Sequence, residues 1–137
     1  MIRNIKKLEL VDTRFLSKAR PMPGLREVYL PYFVPAEEVP IVGLASLNVS
    51  DEVSDGLRTY TSKVTATMEK RLPHSSLTMA VRLTDVQGRR YLMGGAARPY
   101  PLFQQEDKYA DRPGEPSACQ LTITLQGPFP AMEIFKG

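Results

Sequence analysis

Period two dominates the spacing of apolar and polar positions. Across residues 57–69 one parity holds Leu57, Thr59, Thr61, Lys63, Thr65, Thr67 and Glu69. The other holds Arg58, Tyr60, Ser62, Val64, Ala66 and Met68. Beyond Arg58 the second set is the less polar, which predicts a strand with one wet face. A helix is disfavoured because Thr and Val lose χ1 freedom there. Pro73 ends the run. Residues 76–86 predict the next strand, with Leu77, Met79, Val81 and Leu83 alternating with Thr78, Arg82 and Thr84. Asp85-Val86-Gln87-Gly88 predicts a tight turn in which Gly88 supplies positive φ. Residues 90–93 then return as the hairpin partner. Residues 119–126 predict a further strand, with Cys119, Leu121, Ile123 and Leu125 on one side. Met132, Ile134 and Phe135 make a short last strand or an apolar tail.

The first third is less regular. Residues 5–11 suggest a strand with Leu8 and Leu10 inward. Residues 25–34 suggest another, which Pro31 confines to an edge or a bulge. Ser50 ahead of Asp51, Glu52 and Val53 predicts one capped helical turn before Gly56. Residues 95–117, with Pro99, Pro101, Pro113 and Pro116, form the longest irregular stretch, and loops of that size are usually functional or mobile. The expectation is a single domain over residues 1–137. It is mainly β, an antiparallel sheet forming a small sandwich or barrel, with at most one short helix. A basic N-terminal arm of about residues 1–24 and the 95–117 loop are its expected mobile parts. The expected core is Val64, Met68, Leu77, Met79, Val81, Leu83, Tyr91, Met93, Leu121, Ile123 and Leu125.

Composition narrows the function. The 137 residues include 12 Pro, which argues against long helices. Cys119 and His74 are each the sole residue of their type, so an intrachain disulfide and any site with two His ligands are excluded. The N-terminus carries charges throughout and lacks the apolar stretch of a signal peptide. The apolar stretch at 39–47 is too short to span a bilayer. These features lead us to expect a cytoplasmic protein without a membrane partner.

The net charge of +3 hides a block pattern. Residues 1–26 hold seven Lys/Arg and two Asp/Glu. Residues 27–57 hold no Lys/Arg and six Asp/Glu, Asp51, Glu52 and Asp55 among them. Residues 58–98 hold eight and two, and residues 99–137 three and five. Blocks of opposite sign can attract within a subunit or between subunits. The acidic block and the lack of basic runs interleaved with aromatics disfavour nucleic acid as partner.

Catalytic signals are weak. His74-Ser75-Ser76 places base and nucleophile side by side in a turn, which rarely aligns them. Asp51 to Gly56 superficially resembles a Ca²⁺ loop, but its twelfth position is Ser62 instead of a bidentate Glu. Glu37 and Glu38 are neighbours and face apart. Gly94-Gly95 lacks the spacing of a phosphate loop. Cys119 lies on the apolar parity of its strand, as a buried inert thiol does. No catalytic, cofactor or metal site is expected, and the chain does not read as an enzyme. Three P-x-P triplets (21–23, 99–101 and 128–130) stand beside predicted strand ends, where they read either as recognition or subunit-lacing segments or, in preference, as stops that block unwanted sheet pairing.

The segment Val81-Arg-Leu-Thr-Asp-Val-Gln-Gly-Arg-Arg-Tyr-Leu-Met-Gly94, then Arg98-Pro-Tyr-Pro101 and the strand Gln120-Leu-Thr-Ile-Thr-Leu125, resembles small tail or neck structural proteins of Bacteroidetes-type phages and prophages. The chain departs from that pattern in the insert at 102–117 and in its proline-rich first third. The resemblance implies a non-enzymatic structural subunit, virion-associated, whose partners are copies of itself or other assembly subunits. The contact residues expected are Arg89, Arg90, Arg98, Tyr100, Phe103 and Tyr109. The alternative is a β-face module for carbohydrate or single-stranded nucleic acid, with Tyr60, Tyr91, Tyr100, Phe103 and Tyr109 as stacking groups.

Overall fold

The computed structural model describes residues 2–16, 19–21, 27–29, 36–68, 79–95, 100–108 and 118–135. Its strands are β1 (Ile2–Asp12), β2 (Arg20–Pro21), β3 (Glu27–Tyr29), β4 (Glu37–Val39), β5 (Ala45–Ser54), β6 (Leu57–Met68), β7 (Met79–Asp85), β8 (Arg90–Met93), β9 (Leu102–Lys108), β10 (Ala118–Gly127) and β11 (Met132–Phe135). A single 3-10 turn at Thr13–Leu16 is the helical element among the described residues. The strands form one sheet in the order β2-β3-β11-β8-β7-β1-β5-β6-β10-β9, with β4 also on β1. All pairings are antiparallel except β3 with β11. The two ends of this order, β2 and β9, do not pair, so the sheet is not closed into a barrel.

β1 is where the sheet divides. Residues 2–5 pair with residues 48–45 of β5, whereas Leu8 and Leu10 pair on the same edge with Val39 and Glu37 of β4. The opposite edge belongs to β7. β5 therefore leaves β1 after Ile5 and takes β6, β10 and β9 with it. A bulge between Ile5 and Lys7 resets the alternation. Ile5 and Leu8, three residues apart, consequently both point inward and are fully buried.

The two halves share one core. Leu8, Leu10, Val81, Leu83, Tyr91 and Met93 come from one half, and Leu47, Val64, Met68, Leu121 and Ile123 from the other. No helix covers them among the described residues, so each half covers the other, as in a sandwich. Two contacts clasp the halves. The Ala131 amide, just before β11, donates to Ser62 Oγ on β6 at 2.9 Å. Gly94, at φ 101°, lets Pro101 approach so closely that a Cβ there would sit 2.9 Å from Pro101 Cδ and 3.3 Å from Ala80 Cβ.

The outer face of β1, β7 and β8 carries a smaller cluster of Val11, Leu16, Val28, Ala80, Leu92 and Met132. On the same face Glu9 and Arg82 stand directly opposite in register. Arg82 Nε donates to Glu9 Oε1 at 3.1 Å and Nη2 to Oε2 at 2.9 Å. Each residue is 7% exposed. The hydrogen-bonded guanidinium holds the Glu9 carboxyl below the usual carboxylate range, against the opposing effect of burial.

Several expectations change. The helical turn expected at Ser50 is part of β5, because Asp55-Gly56 makes a two-residue hairpin turn and the preceding residues pair with β6. Residues 2–12 of the expected N-terminal arm are β1, in the interior of the strand order. The 95–117 stretch contains β9, whose polar sequence suits a sheet edge and hid its pairing with β10. Of the expected core, Met79 is half-buried, Leu77 lies outside the described residues, and the rest are buried. His74 also lies outside the described residues.

Two variants test this packing by urea denaturation. Arg82→Met is expected to cost about 3–5 kcal/mol, because it strands a buried carboxylate, and Glu9→Leu added to it should restore most of that loss. The folded pKa of Glu9 lies below its unfolded value near 4.5. Its contribution is therefore complete above that value and lost as pH falls through the folded pKa, so the wild type should weaken on acidification more than the double variant. Gly94→Ala is expected to cost about 1–3 kcal/mol, from the positive φ and the rigid Pro101 ring.

Candidate docking site

Two features meet at one end of the molecule. The first is the β7–β8 turn. Asp85 is buried, and its Oδ1 accepts from the Gln87 amide at 2.9 Å and the Arg89 amide at 2.8 Å. The Tyr91 hydroxyl donates to Oδ2 at 3.4 Å. The Asp85 amide donates to the Arg89 carbonyl, the Gly88 amide to the Asp85 carbonyl, and the Val86 amide to the Asn4 carbonyl of β1. Burial raises the Tyr91 phenol above its ordinary pKa. The carboxylate of Asp85 is thus spent inside the turn, while the cations around it face outward.

Register brings those cations together. Lys7 stands opposite Thr84, and Thr84 opposite Arg90, so the three form a row across β1, β7 and β8. Lys6 and Arg89 are exposed beside them, and Arg3 is half-buried on the parity of Ile5. This end of the layer is strongly basic.

The second feature is a ribbon. β5 pairs with β1 as far as Asn48 opposite Ile2, and β6 pairs with β10 as far as Tyr60 opposite Gly127. Beyond those points residues 51–54 and 57–59 pair only with each other among the described residues. Asp55 and Gly56 both take positive φ, 53° and 78°, as a type I′ turn requires. Every residue from Ser50 to Arg58 is exposed, Val53 by 57% and Leu57 by 73%.

The faces of the ribbon follow from its register. Asp51, Val53, Arg58 and Tyr60 share one face, which continues the inward parity of Leu47, Val49, Ser62 and Val64. Glu52, Ser54, Leu57 and Thr59 share the other. Arg58 pairs with Asp51, whereas Glu52 and Asp55 enter no ion pair among the described residues. The core-facing stripe therefore runs past the body of the sandwich into solvent.

The expected contact residues do not form one patch. Arg89 and Arg90 lie at the basic end. Tyr100 is half-buried just before β9, near the opposite end of β8, where Pro101 meets Gly94. Phe103 packs against the main core. Arg98 and Tyr109 lie outside the described residues. Tyr91, expected as a stacking group, points inward onto Asp85. The sequence reading missed Lys6, Lys7 and the ribbon. Asp55-Gly56 is the signal that could have found the ribbon, since an Asp-Gly pair between β-compatible runs is a strong hairpin mark.

Among the described residues no group of His, Cys, Asp and Glu is placed to hold a metal, and no helix is long and apolar enough to cross a membrane. Cys119 is buried, with Sγ 3.9 Å from Gln105 Oε1. No protein-family model, curated protein or solved structure matches the chain.

Asp85→Ala is expected to destabilise the fold by about 1–3 kcal/mol, because two amides lose their acceptor. Hydrogen exchange should accelerate at Gln87 and Arg89 before it changes in β10.

Proposed function

We propose that the chain is a non-enzymatic structural subunit of a phage-derived assembly, of the tail or neck type that its β7–β8 hairpin resembles, and that it works through protein–protein contacts. The observation that carries this reading is the ribbon. A two-stranded ribbon alone is marginally stable in water. This one nevertheless extends the inward-facing stripe beyond its cover and exposes Val53 and Leu57. Neighbouring subunits supply the missing cover in an assembly, and the basic end beside the ribbon adds direction to the encounter.

The alternative, a stacking platform for carbohydrate or single-stranded nucleic acid, is less well supported. Tyr91 is buried and Phe103 is committed to the core, which leaves, among the described residues, Tyr60 and Tyr100 half-buried on separate elements.

Light scattering and electron microscopy of the purified chain at high concentration test the reading. Rings or tubes that form at low salt and weaken at higher salt are expected. A uniform monomer at both salts would count against it.

A further inference from the structure

The ribbon projects past the end of the sheet that carries the basic groups, and Arg58–Asp51 is the ion pair the ribbon makes among the described residues. Glu52 and Asp55 project into solvent on a ribbon whose block of sequence, residues 27–57, contains no Lys or Arg. Lys6, Lys7, Arg89 and Arg90 gather around a carboxylate that is already consumed by the turn. The ribbon therefore carries unpaired Glu52 on the face of exposed Leu57, with Asp55 at its tip, and the basic end carries an excess of cations.

We infer that the acidic ribbon of one copy docks against the basic β1–β7–β8 end of a second copy. This deepens the structural-subunit reading and rests on it. The occupant is a second copy because the chain itself supplies both complementary surfaces. Engaged reciprocally, the two surfaces close a two-fold pair; engaged head to tail, they repeat into a ring or an open helix. Residue 48 of β5 pairs with residue 2 of β1, so the ribbon projects beyond the first residues of β1, whereas the basic groups lie level with residues 5–7, where Ile5 pairs with Asp85 and Lys7 with Thr84. The apolar residues contribute desolvated area, while the charges set orientation and rate.

Two charge-reversed full-length chains test the pairing by sedimentation velocity at low salt. The ribbon variant carries Glu52→Lys with Asp55→Asn, since Asn tolerates the left-handed turn position. The basic-end variant carries Lys6→Glu with Arg89→Glu. All four side chains are exposed, so the urea midpoints should stay at the wild-type value. Each variant alone is expected to associate roughly tenfold more weakly than the wild type, or worse, which corresponds to about 1.4 kcal/mol. Mixed in equal amounts, the two should associate again, because each ribbon then meets an end of opposite sign. A wild type that assembles while both variants assemble equally well overturns the ribbon contact and leaves the structural-subunit reading standing. A wild type that stays monomeric at both low and high salt overturns both. Variants that weaken individually but fail to rescue each other also overturn the pairing.

Discussion

Among the described residues no helical layer covers the sheet, which buries its apolar face against itself, and the rest of this structure follows from that constraint. β1 resolves it by giving one edge to two partners, β5 over residues 2–5 and β4 over Leu8–Leu10. The split lets half the strands fold across the other half. The bulge at Ile5/Lys7 keeps Ile5 and Leu8 on the same side of the division. Without that extra residue, one end of β1 would turn its apolar residues to solvent.

Folding over has a geometric cost at the rims. Where the halves approach, Gly94 and Pro101 meet at a distance that excludes any side chain on the glycine. Where they part, the longest hairpin, β5–β6, outruns its neighbours. The same inward stripe that is sealed at Leu47 and Val64 is open at Val53. The ribbon is thus the part of a continuous core face that one copy of the chain leaves uncovered. The outer face faces a different problem, a carboxylate and a guanidinium out of water. It is met by opposing Glu9 and Arg82 directly in register, so that both nitrogen–oxygen contacts form.

Much of the fold was legible in the residues, and what escaped has physical reasons. The parities of β6, β7 and β10 were readable because one face of each is buried and the other wet. β8 was bounded by the Asp85–Gly88 turn, whose side-chain and backbone bonds are local. β9 was hidden because an edge strand can be polar on both faces, as Gln104, Gln105 and Glu106 are. The ribbon was misread because neither of its faces is buried, so alternation carried no signal there and Ser50 looked like a helix cap. The centrality of β1 depends on pairings with β7 residues 67 to 80 positions away, which period alone does not reveal. The candidate surface was legible in part. Arg89 and Arg90 follow from the turn, but their meeting with Lys6 and Lys7 depends on the β1–β7 register.

Residue-resolved hydrogen exchange, run on dilute chain at high salt and on concentrated chain at low salt, addresses the central claim most directly. That claim is a core sealed by a folded sheet, with one ribbon left for a neighbour. Amides of β1, β6 and β10 in the body should exchange slowly in both states. Those of residues 51–58 should exchange fast when dilute and slow on concentration. A ribbon as protected as β1 in the dilute chain, or one that gains no protection when concentrated, would contradict the account.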